Sequence, residues 1–150
     1  GTGIYELPGM TIEQEITLPT PFGNPSGAIV RGTLAGQPLL FLARHGAGHK
    51  LLPHEVNYRA NIAALKQLGA TDVLSLSAVG GLRADLSPGT FVVVDQFIDR
   101  TFAREKSFFG PGCVAHVSVA HPTCARLGQA VTQAAQGLTL HPRATYLATH

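Results

Sequence analysis

Two basic side chains and a glycine directly follow an apolar run of the chain. Arg44, His45 and Gly46 come after residues 38–43, which read Pro-Leu-Leu-Phe-Leu-Ala. In an open parallel sheet, ligands bind at the carboxyl ends of the strands. A guanidinium can donate two parallel hydrogen bonds to one anion, and a glycine lets the backbone approach that anion closely. The pattern therefore predicts an anion site at the end of a strand.

Two other segments also offer groups that can bind an anion. Residues 73–76 (Val-Leu-Ser-Leu) lead into residues 77–81 (Ser-Ala-Val-Gly-Gly), and the chain opens with Gly1-Thr2-Gly3. Each segment offers hydroxyl groups or backbone amides that glycine leaves uncovered. Together with Arg44, these strand ends indicate one shared pocket for phosphate.

Plainer interpretations of the same residues stay open at this point. One alternative for Arg44 is a structural ion pair with Asp95 or Asp99, because such pairs are common in proteins. One alternative for His45 is a hydrogen-bonded histidine of the core. The residue types alone do not decide between these roles and anion binding.

Metal binding and disulfide bonding are both disfavoured by the spacing of the candidate ligands. His45 and His49 stand four positions apart with His54 nearby, a spacing that suits zinc on a helix. Glycines at positions 46 and 48 oppose a helix there, so we predict no metal. Cys113 and Cys124 are too few for a disulfide framework. We expect both to be reduced and buried, in a cytoplasmic protein.

The composition limits the class of protein. The chain has 150 residues, of which 45% are apolar and 13% charged, so it fits one domain with a real core and is not disordered. A formal net charge of +2 is too small to indicate a nucleic-acid partner. No apolar run approaches the roughly 20 residues that span a bilayer, so no membrane partner is predicted.

Hydrophobic periodicity predicts alternating strands and helices, and hence an α/β fold with a mostly parallel centre. The predicted strands are 29–34, 37–43, 72–76, 91–94 and 114–119, with one near 15–18 and another from residue 144. Strand 91–94 is apolar throughout, which is typical of burial on both faces. The predicted helices run from His54 or Glu55 to Leu68 and over 124–137. We expect four polar residues of the first helix to tie it to the Arg44 loop: Asn57, Tyr58, Arg59 and Asn61.

Six segments occur in a characteristic order and spacing: residues 1–4 (GTGI), 20–23 (TPFG), 43–46 (ARHG), 56–62 (VNYRANI), 77–82 (SAVGGL) and 95–101 (DQFIDRT). Together they resemble the trimeric purine nucleoside phosphorylase family, most closely its 5′-methylthioadenosine phosphorylase branch. The resemblance implies a mixed, mostly parallel twisted sheet flanked by helices. It also implies an incomplete domain, in which residues 1–150 are the N-terminal part of one nucleoside phosphorylase domain.

The activity implied by the resemblance is phosphorolysis of a purine nucleoside, which is a pentosyl transfer used in purine and methionine salvage. S-methyl-5′-thioadenosine and phosphate would give adenine and 5-methylthioribose 1-phosphate, with phosphate as co-substrate and without a cofactor. One alternative is a phosphorylase of 6-oxopurine nucleosides or S-methyl-5′-thioinosine. Another is a non-catalytic fragment that binds nucleoside or phosphate. The family resemblance further implies a homotrimer or hexamer.

The resemblance also implies roles for individual residues. The residues that match phosphate ligands are Thr2, Arg44, His45, Ser77 and the backbone amide of Ala78. Those that match positions near the nucleoside are His49, Val79, Gly80 and His116. In the family, the residue matching His116 reaches into the pocket of the neighbouring subunit, and we expect residues 101–114 at that interface. The catalytic group is unknown, and a purine-facing acid is expected beyond residue 150.

Overall fold

A computed structural model of the chain describes residues 7–149. These residues form two compact units: residues 7–78 with Glu105–Phe108, and Val79–Arg104 with residues 109–149. In chain order the elements are β1 (Thr11–Ile16), β2 (Ile29–Leu34), β3 (Gln37–Phe41), α1 (Tyr58–Gln67), β4 (Phe91–Asp99), α2 (Ala125–Ala134) and β5 (Leu140–Ala148). The first unit contains β1 to β3 and α1, and the second contains the remaining elements.

An antiparallel sheet in the order β1-β2-β3 forms the strand layer of the first unit. A two-residue turn joins β2 to β3, because Leu34 pairs with Gln37. Ala35 and Gly36 both have positive φ, at 48° and 77°. A type I′ turn requires this backbone, and its twist matches that of the flanking strands. The turn therefore fixes the register between β2 and β3, and β3 then leads toward Arg44.

The core of the first unit contains residues of β2, of α1 and of the loop that precedes the helix. Its fully buried apolar side chains are Ile29 of β2 and Ala60 and Ala64 of α1, and Val56, just before the helix, is 5% exposed. Alanines spaced four apart share one helix face, and their small side chains allow close packing. The face that carries Ala60 and Ala64 is therefore the buried face of α1.

Helix α1 begins at Tyr58, three residues after Glu55 and four after His54, the two predicted starts. Residues 52–55 form a separate turn, in which the Glu55 amide donates to the Leu52 carbonyl at 2.9 Å. The side chain of Asn57 then accepts a hydrogen bond from the Ala60 amide at 3.0 Å, as an N-cap residue does. The cap therefore places the boundary at Asn57, and the rest of the predicted helix is confirmed.

The second unit is a β-α-β arrangement. Strands β4 and β5 pair in parallel, with Phe91 opposite Leu140 and Asp99 opposite Ala148. Helix α2, which connects them along the chain, packs against both strands. Gly128 of α2 lies so close to β4 that a Cβ there would sit 3.6 Å from Val93. This parallel pair with its connecting helix is the α/β element that the sequence predicts.

Two predicted strands are wrong. Residues 72–76 and 114–119 are not strands in the structure. A strand exists only where a neighbour completes its ladder of hydrogen bonds, and within residues 7–149 no strand pairs with either segment. Leu74 is 64% exposed and Val114 82% exposed. Their apolar patterns indicated burial that the described residues do not provide.

Two smaller predictions about burial also need correction. Cys113 and Cys124 are free thiols, as expected, but both are exposed rather than buried. Phe91, at the start of β4, is 55% exposed, and the rest of 91–94 is half-buried. The described residues cover one face of β4 with α2, so burial on both faces does not arise.

Candidate anion site

The candidate site is built on a closed turn that follows β3. The Gly46 amide donates to the Ala43 carbonyl at 2.9 Å, and the amides of Lys50 and Leu51 both donate to the His45 carbonyl at 3.0 Å. These bonds fold residues 43–51 back on themselves. Arg44 therefore lies just beyond the end of β3, as the sequence predicts.

His45 is buried beneath this turn, with 5% of its surface exposed. Its Nδ1 lies 2.9 Å from the Leu51 carbonyl oxygen. Its Nε2 lies 3.4 Å from Nε and 3.3 Å from Nη2 of Arg44. The exposed ring of His49 stacks on the imidazole, with ring centroids 4.5 Å apart. Each edge and one face of the His45 ring therefore have a defined neighbour.

Arg44 is half-buried, and a second neighbour orients it. Its Nη1 donates to Ser77 Oγ at 3.2 Å. A guanidinium has five N–H donors and cannot accept a hydrogen bond. His45 and Ser77 engage three of these donors within the described part of the first unit. The remaining donors of this oriented cation could hold an anion.

Ion pairing does not account for Arg44 within its own unit. Among the described residues of that unit, no carboxylate lies within 4.0 Å of the Arg44 guanidinium. Of the two acidic residues proposed as alternatives, Asp95 binds Arg143, whose Nη2 is 2.7 Å from Asp95 Oδ2. Asp99 accepts hydrogen bonds from the amide and hydroxyl of Thr101. Anion binding by Arg44 stays a prediction.

The turn packs closely against Ser26, which Asn61 of α1 binds in turn. The sequence singled out neither residue as a site component. Gly46 is buried with a φ of +74°, and a Cβ there would lie 3.2 Å from the Ser26 carbonyl oxygen. The amide of Ser26 donates to Asn61 Oδ1 at 2.8 Å, and Asn61 Nδ2 donates to Ser26 Oγ at 2.9 Å. Asn61 thus links α1 to Ser26, whose carbonyl lies next to Gly46, so the expected tie between this helix and the Arg44 loop is indirect. No local pattern marked Ser26, or the Leu51 carbonyl, for these contacts.

A second polar cluster in the first unit holds residues 105–108. Arg59 Nη1 lies 3.4 Å from Glu105 Oε2 and donates to the Ser107 carbonyl at 3.2 Å. The guanidinium carbon of Arg59 lies 5.3 Å from the centre of the Phe22 ring. Phe22 meets Phe108 edge to face at 5.1 Å. Arg59 therefore fixes this distant segment to the first unit.

Five further predicted site residues are not tested by the structure. Ala78 follows Ser77 in the first unit and is exposed. Val79, Gly80 and His116 belong to the second unit and are exposed there. Thr2 lies outside the described residues. The roles of these five residues stay predictions.

The described residues do not contain a metal-binding cluster. No group of three His, Cys, Asp or Glu side chains within residues 7–149 is placed to hold one ion. Both ring nitrogens of His45 face other partners, Leu51 and Arg44, which removes it from a zinc site with His49. Over the same residues, no helix is long and apolar enough to cross a membrane.

Comparisons with known proteins identify the family of the chain. The family model described as "Phosphorylase superfamily" matches residues 9–149. An S-methyl-5′-thioadenosine phosphorylase from Cereibacter sphaeroides is 55% identical over 149 residues, covering 98% of this chain and 51% of that protein. Another, from Rhodospirillum rubrum, is 56% identical with the same coverage. The chain thus spans about half the length of the curated relatives that it matches.

The fold agrees with a solved structure. Methylthioadenosine phosphorylase from Schistosoma mansoni, in complex with adenine, superposes with a TM-score of 0.92 and 34% identity, covering 99% of this chain and 62% of that one. The predicted fold class is therefore confirmed, and so is the resemblance to the nucleoside phosphorylases. The family match, the identity to curated relatives and the superposed fold show that the chain belongs to the phosphorylase superfamily.

Proposed function

We propose that the protein carrying this chain is a purine nucleoside phosphorylase that acts on S-methyl-5′-thioadenosine. An oxygen of inorganic phosphate would bond to the anomeric carbon of the sugar while the bond from that carbon to the purine breaks. The purine leaves with the electron pair and gains a proton. The products are adenine and 5-methylthioribose 1-phosphate. Two curated relatives at 55% and 56% identity carry this activity in their names, which supports the choice of substrate.

The observation that carries the proposal is the oriented, half-buried guanidinium of Arg44. Breaking the glycosidic bond builds positive charge on the sugar ring, and a bound phosphate both neutralises that charge and provides the nucleophile. A protein promotes this step by holding the dianion in place with groups that are already oriented. Arg44, anchored by His45 and by Ser77, is such a group.

The phosphate ligands that we propose are Arg44, the Ser77 hydroxyl and the amide of Ala78, with Thr2 and His45 as further candidates from the family resemblance. We propose that the nucleoside lies near His49, Val79, Gly80 and His116. The group that protonates the purine is expected beyond residue 150. Phosphate itself is the nucleophile, so the proposed reaction needs no organic cofactor or metal.

We also propose a homotrimer or hexamer in the cytoplasm. In the second unit, Phe102 is 87% exposed, Val114 82% and Val117 71%. Apolar groups exposed to this extent are typical of surfaces that another molecule covers. The family resemblance implies that residues 101–114, which include Phe102 and Val114, lie at a subunit interface, and this supports the proposal of self-association. The free thiols of Cys113 and Cys124 are consistent with a reducing compartment.

The test is phosphate-dependent release of free purine by the purified whole protein. S-methyl-5′-thioadenosine, S-methyl-5′-thioinosine and inosine are compared, and adenine release from the first should be fastest. Arg44→Ala should raise KM for phosphate about 100-fold, because it removes charge-assisted hydrogen bonds to a dianion.

Arg83→Ala is the matched control, because it removes an arginine whose exposed side chain pairs with Asp85. Its KM for phosphate should not change. Release of purine that does not depend on phosphate would overturn the proposal, and so would an Arg44→Ala variant with an unchanged KM for phosphate.

A further inference from the structure

The neighbours of His45 favour one arrangement of its two ring nitrogens. A backbone carbonyl can only accept, so the Nδ1 that lies 2.9 Å from the Leu51 oxygen is assigned as the donor. A guanidinium can only donate, so Nε2, which faces Nε and Nη2 of Arg44, is assigned as the acceptor. The tautomer that satisfies both contacts carries its proton on Nδ1.

The turn holds this tautomer in place. Leu51 contacts His45 twice: its amide donates to the His45 carbonyl at 3.0 Å, and its carbonyl accepts from the ring. Only 5% of His45 is exposed, so water competes little for either nitrogen. His49 covers one face of the ring. The imidazole is thus fixed before Arg44 meets a ligand.

We propose that His45 is a positioning residue that acts on phosphate through Arg44, an inference that rests on the proposed function. Its Nε2 accepts from the Nε and Nη2 side of the guanidinium, while Ser77 Oγ accepts from Nη1. Two acceptors on different sides fix the plane of the guanidinium. The N–H groups left over then point in a defined direction, and phosphate binds without first having to order a flexible side chain. The family resemblance implies instead that His45 contacts phosphate directly, and the two roles make different predictions.

A double-mutant cycle in the whole protein separates these roles. His45→Asn keeps an amide donor near the position of Nδ1 and removes the acceptor at Nε2. We expect it to raise KM for phosphate about tenfold, as the loss of a hydrogen bond to a charged group does. In the Arg44→Ala background the same change should have no further effect, because the group on which His45 acts is absent. His45→Gln, whose amide oxygen reaches toward the position of Nε2, should recover most of the loss.

Each outcome has a distinct meaning. The inference would be overturned if the increases in KM for phosphate caused by His45→Asn and by Arg44→Ala multiply in the double variant. That result would support direct contact between His45 and phosphate. A failure of His45→Gln to recover KM would overturn it as well. An Arg44→Ala variant with unchanged KM for phosphate would overturn the proposed function itself. Thermal melting of each variant shows whether the fold is retained. His49→Ala, which removes the exposed ring stacked on His45, serves as the comparison variant in these melts. If His45→Asn does not fold, His45→Gln is compared with the parent: a KM for phosphate close to that of the parent supports the inference, and a rise of about tenfold overturns it.

Discussion

Asn61 of helix α1 and Ser26, which lie 35 positions apart, bind each other through two hydrogen bonds. The Ser26 amide donates to Asn61 Oδ1 at 2.8 Å, and Asn61 Nδ2 donates to Ser26 Oγ at 2.9 Å. The Ser26 carbonyl in turn faces Gly46, the residue that follows His45. The helix and the anion-site turn are therefore connected through one short piece of loop.

Replacement of Asn61 should destabilise the fold measurably. Asn61 is 6% exposed, so Asn61→Ala leaves the Ser26 amide without its partner in a buried place. The free energy of unfolding should fall by about 1–3 kcal/mol. Ser26→Ala, which removes only the hydroxyl partner, should cost about 1 kcal/mol. Urea denaturation of the two variants gives the comparison, and equal losses would contradict the role assigned to the amide bond.

Gly46 and Gly48 provide a matched pair for the close approach at the turn. Both have a left-handed backbone, at φ +74° and +75°. A Cβ on Gly46 would lie 3.2 Å from the Ser26 carbonyl oxygen, whereas one on Gly48 would meet only the flexible end of Lys50 at 3.7 Å. Both alanine variants bear a backbone penalty of about 1 kcal/mol, but Gly46→Ala should lose more stability and also raise KM for phosphate. Identical melting temperatures and kinetics for the two would show that the contact with Ser26 is unimportant.

Asn57 should contribute to stability as the N-cap of α1. Its side chain accepts from the Ala60 amide and donates to the Phe22 carbonyl at 2.7 Å. Asn57→Ala removes both bonds, whereas Asn57→Ser keeps an acceptor for the cap. Alanine should be less stable than serine by about 0.5–2 kcal/mol, the usual range for an N-cap. Chemical denaturation measures the difference, and an alanine variant as stable as the serine variant would rule out the cap.

Replacement of Arg59 should loosen residues 105–108 more than replacement of Glu105, its acidic partner. The Glu105 side chain is 76% exposed, so its ion pair is screened by water and Glu105→Gln should change stability by less than about 1 kcal/mol. Arg59→Ala also removes the contact with the Phe22 ring and the bond to the Ser107 carbonyl. Amide hydrogen exchange over residues 105–108 should accelerate in Arg59→Ala and stay near normal in Glu105→Gln. Equal acceleration in both variants would assign the effect to the ion pair.

One pH effect follows from an exposed pair in the second unit. A hydrogen bond from Arg83 holds the pKa of Asp85 below its usual range. The stability that this carboxylate contributes is present above the usual carboxyl pKa, and it disappears as the pH falls through the lowered value. Asp85→Asn should therefore melt slightly below the parent at pH 7 and together with it at strongly acidic pH. A difference that grows on acidification would contradict this sign.

Local patterns predicted most of the elements because their causes are local. The turn between residues 29–34 and 37–43, the body of helix α1 and the placement of Arg44 beyond β3 all depend on neighbouring residues. The strand predicted at 72–76 failed because pairing depends on a distant partner. The role of the Leu51 carbonyl as the partner of His45 could not be predicted from the sequence either. Every residue has a carbonyl, and only the folded turn brings this one next to the ring. For the same reason, the pattern identified Arg44 and His45 as candidates but did not show how one orients the other.

The tight turn at the tip of the β2–β3 hairpin has a practical consequence. Ala35 and Gly36 are exposed, and their backbone geometry is one that asparagine followed by glycine adopts readily. Ala35→Asn would relieve a strained alanine. Ala35→Cys would carry a reporter dye at the far end of β3 from the phosphate candidate, once the exposed thiols Cys113 and Cys124 are replaced by serine. Fluorescence from that position could follow folding of the first unit without perturbing turnover.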